Sequence, residues 1–387
     1  MEQTKSMETK LKVLLEASKP ENRTKWATKW KEQGKQVAGV FTPYIPEEII
    51  FAAGALPWGL SGTWQEATPL ANTHRANMTC RYCTHVLESI LSGEFDFLDS
   101  VIAHQNDDEI KRLWDVLQHT GKPKFNYLIY HPHDTTETNT RMYINSLLGL
   151  RRFMKDLTGA EVTGDTLSQA IETYNTTRTL ITKLYDMRKR EIPPLTGAEF
   201  LGITTAARVM PKDEFNQELE QLFPYLETRK ASVKHPHPRI LVLGDYIDNP
   251  AYIQLVEDAG CLVAMDDLDT GARYVYGMVN TSASDPWEAL AKRYLNSPAG
   301  PAMINWTEQA ERLVNWVKEF NIDGVVELRS LYMLPRDFML TFTRKKLAEV
   351  GTPYLSLDKE YHLANEGMLS TRVAAFIEMI EAKDTGK

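Results

Sequence analysis

Cysteine is scarce, with three residues in a chain of 387, an odd number and far too few for a disulfide framework. That usage fits a reducing compartment. Long hydrophobic runs are missing as well, and the opening Met1-Glu2-Gln3-Thr4-Lys5-Ser6 lacks the apolar segment of a signal peptide. A cytoplasmic location without membrane contact is therefore expected. No basic excess is present, since the formal net charge is −8. That sign excludes the phosphate-binding footprint of a non-specific nucleic-acid binder. The chain also contains no GxGxxG, GxxxxGKS/T or GxSxG, so a dinucleotide fingerprint, a P-loop and a hydrolase nucleophile elbow have no support.

What is present is the composition of a soluble globular protein, 43% hydrophobic and 25% charged, in a chain long enough for more than one core. Residues 1–34 read as a helical arm, Lys- and Glu-rich, with Leu11, Leu14 and Leu15 on one face and charges that need only solvent. From 35 to 135 short apolar runs alternate with helical patterns. Gln36–Phe41 is a buried strand, Pro46-Glu47-Glu48 opens a helix that Gly54 closes, and its carboxylates suit the positive end of that helix. Further strands are expected at 55–60, 97–103 and 125–130, and the polar stretch Thr63–Asn77 is a plausible site loop. Residues 136–235 change to long helices, with Asp165 as a natural N-cap and Thr196-Gly197-Ala198-Glu199 as a capping box. The Lys234-His235-Pro236-His237-Pro238 segment marks the boundary to a second alternating region, 236–387. The fold class is α/β, with two Rossmann-like parallel-sheet domains, a helical layer between them and a helical N-terminal arm.

Reactive side chains concentrate in Met78-Thr79-Cys80-Arg81-Tyr82-Cys83-Thr84-His85. Two thiolates at CxxC spacing at the start of a helix gain from its positive end, and both are soft metal ligands. Cys83 fits an ordinary semi-buried cysteine on a helix face equally well. Arg75 and Arg81 flank this stretch, while His104, Asn106 and Asp107 close the following strand, where ligands of open α/β sheets gather. A histidine there suits proton donation. Capping of the next helix is the competing account of His104 and of Asp107 or Asp108.

Several segments together resemble the family of 2-hydroxyacyl-CoA dehydratase and benzoyl-CoA reductase subunits, of the smaller beta type or the C type. They are Pro43-Tyr44-Ile45-Pro46-Glu47-Glu48-Ile49-Ile50 with Ala52-Ala53-Gly54-Ala55-Leu56-Pro57, Cys80 with Leu87-Glu88 and Gly93, Leu157-Thr158-Gly159, Ala170–Arg178, and Thr371–Glu378. The resemblance implies a heteromeric enzyme of anaerobic metabolism, acting on acyl-CoA thioesters by one-electron, ketyl-radical chemistry. Its implied cofactor is a 4Fe-4S cluster, and its implied partners are a homologous cysteine-complete subunit and an iron-sulfur activator that alone uses ATP. The family pattern holds a cluster with three cysteines per subunit. Here only Cys80 matches, with Asp107 at the second position, Met333 near the third, and Cys261 on an apolar strand. Cys80 and Cys83 are the metal candidates, and His104 and Asp107 the catalytic ones. Arg75, Arg81 and Asn106, with Glu327, Arg329 and Tyr332 beside the missing third cysteine, are the substrate-binding candidates. The cluster then belongs to this chain or to its partner alone. The alternative is a cluster-free structural or acyl-CoA-binding paralogue without catalysis of its own.

Overall fold

Short, uninterrupted apolar runs such as Val37-Ala38-Gly39-Val40 and Ile240-Leu241-Val242-Leu243 suit strands covered on both faces, the condition of a parallel sheet. The computed structural model, which describes residues 2–105, 107–231, 233, 235–297 and 303–384, places them so. Strands β1 (Val37–Val40), β2 (Leu56–Gly59), β3 (Ser100–His104) and β4 (Phe125–Ile129) form one sheet in the order β2-β1-β3-β4. Strands β5 (Arg239–Gly244), β6 (Leu262–Asp267), β7 (Gly324–Ser330) and β8 (Tyr354–Lys359) form a second in the order β6-β5-β7-β8. Every pairing is parallel. The chain is thus α/β with two parallel sheets, as expected, and the two share one strand order. Lys234 of the expected boundary lies outside the described residues. No helix among the described residues is long and apolar enough to cross a membrane.

Between the sheets in sequence run four long helices, Glu137–Thr158, Gly164–Met187, Gly197–Val209 and Lys212–Thr228. The capping box at Thr196 and Glu199 is formed. Asp165, by contrast, lies in the first turn, and Thr163 caps that helix by a reciprocal exchange with Thr166. A threonine pair does there what the sequence assigns to the carboxylate.

The N-terminal arm is helical over Glu2–Ala17, Pro20–Arg23 and Lys25–Glu32, but its charges are not all left to solvent. Arg23 is fully buried, donating to the Gly62 carbonyl at 3.1 Å and to Glu94 at 2.8 Å, and its own carbonyl accepts from Trp58 Nε1 at 3.1 Å. The arm is built into the first half.

Glu47 and Glu48 open the helix Glu47–Ala52, yet both are buried rather than facing solvent at its positive end. Glu48 pairs with Arg178 and accepts from Tyr294 Oη at 2.8 Å, while Glu47 pairs with Lys212 at 3.1 Å and accepts from Tyr274 Oη at 2.9 Å. Burial works against the charge of Glu48, but Arg178 and Arg293 hold its carboxyl below the usual carboxylate range. Removing one partner of a buried pair leaves the other uncompensated, which costs roughly 3–5 kcal/mol. Glu48→Ala is expected to lose about that much stability in urea denaturation. Because the carboxyl is held down, its contribution is present above the pH at which a free glutamate ionises and fades below it. The variant should lack that part of the acid dependence, and a variant as stable and acid-sensitive as wild type would refute the role.

Candidate functional site

In an open parallel sheet, ligands collect beyond the carboxyl ends of the strands, at the point where strand order reverses. The reversal falls between β1 and β3 in the first sheet and between β5 and β7 in the second. The two points face one cavity of about 40 Å³. The segment after β1 supplies Thr42 and Tyr44, and β3 with its following turn supplies His104 and Asp107. From the other half come Asp245 and Tyr246 after β5, and Ser330 and Met333 at the end of β7. The helix Arg81–Leu91 closes the space with Cys80 at its N-cap and with Tyr82 and Cys83 in its first turn.

Side chains bridge the two halves around this cavity. Tyr82 stacks on Tyr246 with ring centroids 4.0 Å apart, and its hydroxyl donates to the Phe41 carbonyl at 2.7 Å. Tyr44 donates to Asp269 at 2.8 Å, and the Gly62 N–H donates to the Tyr361 hydroxyl at 2.7 Å. A side chain at position 62 has no room, since a Cβ there would lie 2.5 Å from His85 Cβ.

Asp107 caps the helix Asp108–Thr120 by accepting from the Ile110 N–H at 3.1 Å, so the capping account of this residue is met and it faces the cavity as well. Burial pushes its carboxyl up to about 6. The hydrogen bond with Cys80, then burial, push the Cys83 thiol up, which opposes the thiolate expected from the helix terminus. Cys80 is positioned through its backbone. Its N–H donates to Glu109 at 2.9 Å, and Glu109 in turn pairs with Arg75.

The structure therefore brings His104, Asp107, Cys80 and Cys83 together and leaves the other candidates elsewhere. Arg75 is buried on Glu109, behind the cysteine, and Arg81 pairs with Glu360 at 2.9 Å along a separate polar cleft. Glu327 is buried in β7, where it accepts from Tyr354 and Ser356 hydroxyls at 2.7 Å each. Arg329 pairs with Asp358 at 2.6 Å, and Tyr332, more than a third exposed, holds a left-handed φ of 68° next to Met333. None of these residues lines the cavity. Asn106 lies outside the described residues. Cys261 is core, its thiol donating to the Val256 carbonyl at 3.1 Å. The second half's contribution, Asp245 and Tyr246, is absent from the sequence candidates, although both directly follow the strand Arg239–Gly244. The strand-end rule that selected His104 and Asp107 would have selected them too.

A 4Fe-4S cluster prefers a protein thiolate on each iron that the protein ligates. The donors at this cavity are two thiols three residues apart, a thioether, an imidazole and the carboxyls of Asp107, Asp245 and Asp269, and among the described residues no three His, Cys, Asp or Glu side chains are arranged to hold a metal ion. This set does not fit a three-thiolate cluster.

The profile of the family described as 2-hydroxyglutaryl-CoA dehydratase, D-component, matches residues 42–380. The beta subunit of (R)-phenyllactyl-CoA dehydratase from Clostridium sporogenes is 22% identical over 364 residues, covering 93% of this chain and 96% of that protein. The beta subunit of (R)-2-hydroxyglutaryl-CoA dehydratase from Acidaminococcus fermentans is 22% identical over 358 residues, or 91% and 94% of the two proteins. The C-type subunit of benzoyl-CoA reductase from Thauera aromatica is 25% identical over 339 residues, or 85% and 87%. With the matched region running from the segment after β1 into the last helix, the chain belongs to the 2-hydroxyglutaryl-CoA dehydratase D-component family.

Proposed function

We propose that this chain is one subunit of a heteromeric enzyme that acts on acyl-CoA thioesters, and that it supplies a small, mostly apolar pocket with a few converging polar groups rather than a complete cluster site. The observation that carries this reading is the shared cavity. An imidazole, His104, and a carboxyl, Asp107, stand beside Cys80 and Cys83 where two sheet switch points meet. The relatives' names, all subunits of CoA-thioester dehydratases or a reductase, support the substrate class and the need for a partner. Under this reading a cysteine-complete partner holds the 4Fe-4S cluster, and an ATP-dependent activator serves the assembly. The cluster would supply one-electron reduction of the thioester. This chain's own residues bind the acyl end, exclude water and hold a proton at His104 or at the Asp107 carboxyl. The incomplete donor set favours a second reading, a thioester-binding subunit that takes no part in turnover.

Anaerobic purification of the full chain with its co-expressed partner, followed by iron and sulfide assay and acyl-CoA binding, tests both readings. The proposal expects iron and sulfide to follow the partner, and thioester binding to need this chain. A chain that comes out alone and without affinity for acyl-CoA sinks both. His104→Ala is expected to abolish turnover while leaving assembly and thioester binding intact; persistent turnover would instead indicate the second reading.

Asp107 gives a separate prediction. A carboxyl raised to about 6 is protonated below that pH and charged above it, so as a proton donor it should make the rate fall as pH rises through about 6. Asp107→Asn keeps the cap but cannot lose the proton, and the pH–rate profile should lose that limb along with most of the rate. An unchanged profile in the variant would show that Asp107 only caps.

A further inference from the structure

One carboxyl in the cavity wall accepts no hydrogen bond among the described residues. Asp245 directly follows β5, is 4% exposed, and neither of its carboxylate oxygens has a hydrogen-bond partner among the described residues. The other carboxyls of the wall are engaged. Asp269 accepts from Tyr44 at 2.8 Å and from Arg273 at 3.1 Å, and Asp107 accepts from the backbone of its own helix.

Burial pushes the Asp245 carboxyl up, Arg336 and Arg273 oppose that shift, and neither oxygen is satisfied among the described residues. Arg336, 1% exposed, carries its Nε 3.8 Å from Asp245 and 3.9 Å from Glu327, both beyond hydrogen-bond reach. None of the three guanidinium nitrogens makes a hydrogen bond among the described residues. Buried Arg273 adds a second positive charge to the field at Asp245 and buried Lys359 senses that carboxylate, while Asp269 and Glu327 oppose its ionisation. A buried carboxylate in such a setting keeps its acceptor capacity for a donor that arrives with whatever fills the space.

The size of the space limits that donor. A cavity of about 40 Å³ takes roughly one or two water-sized groups, where an apolar cavity of roughly 150 Å³ is needed to hold benzene. The group that reaches Asp245 is therefore compact and polar, not an aromatic ring. Resting on the reading that the acyl end of a CoA thioester reaches into this cavity, we propose that Asp245, backed by Arg336, is a positioning residue that accepts a hydrogen bond from a hydroxyl on the acyl chain. It selects hydroxylated acyl groups over their deoxy counterparts.

Equilibrium binding of 2-hydroxypropionyl-CoA and propionyl-CoA to the full chain, purified with its partner, tests this assignment. A hydrogen bond to a charged acceptor predicts that wild type prefers the hydroxylated thioester by about tenfold to a hundredfold. Asp245→Ala should bring that ratio close to one while affinity for propionyl-CoA stays within about twofold, a split that loss of packing would not produce. Asp245→Asn, which keeps the shape and removes the charge, should lower the ratio by at least roughly threefold and covers the case in which the alanine variant fails to fold. Equal binding of both thioesters by wild type, or a ratio unchanged in the variants, overturns the assignment and leaves the acyl-CoA reading standing. Binding of neither thioester by wild type overturns that reading, and this assignment with it.

Discussion

Two adjacent glutamates, buried where a first helical turn would normally present them to water, hold the architecture together. Glu47 and Glu48 stand in the first α/β half; Arg178 and Lys212 reach them from the helical layer, and Tyr274 and Tyr294 from the second half. All three regions of the chain meet at one pair of carboxylates. A buried charge tolerates little displacement of its partner, because the attraction that offsets desolvation falls off as the pair separates. The network therefore fixes how the two sheets face each other. The cavity exists only because they face with their strand ends inward.

Around the cavity the contacts change character. There the halves are joined by aromatic rings and single hydroxyls, as in the Tyr82–Tyr246 stack and the Tyr44–Asp269 bond. Hydroxyl bonds of this kind are directional and individually modest. The ion network stands outside the cavity lining, and the candidate side chains sit where rings and hydroxyls join the halves.

The α/β class was legible in the sequence because parallel strands are uniform apolar runs, and those runs stand out from helical spacing without help from tertiary context. The helix start at Thr196 was legible for a similar local reason, since a cap is made by residues within one turn. Glu47 and Glu48 were not, because a carboxylate at a helix N-terminus reads the same in sequence whether its partner is water or Arg178, which lies 130 positions away. Arg23 was hidden the same way. Half of the site was visible, since Cys80, Cys83, His104 and Asp107 belong to one half and cluster in sequence. Asp245 and Tyr246 gather there only when a second sheet turns its own switch point toward the first. Arg329 shows the converse, for it stands in the strand next to the site in sequence but pairs with Asp358 on the neighbouring strand.

The matching strand orders of the two sheets have a mechanical consequence. Each rim of the cavity hangs from a separate sheet, so its width follows the angle between two rigid plates while its depth is fixed by the plates themselves. That angle is the one the Glu47–Glu48 network holds, so the spacing of Asp107 and Asp245 is set by ion pairs outside the cavity lining and not by any strand pairing.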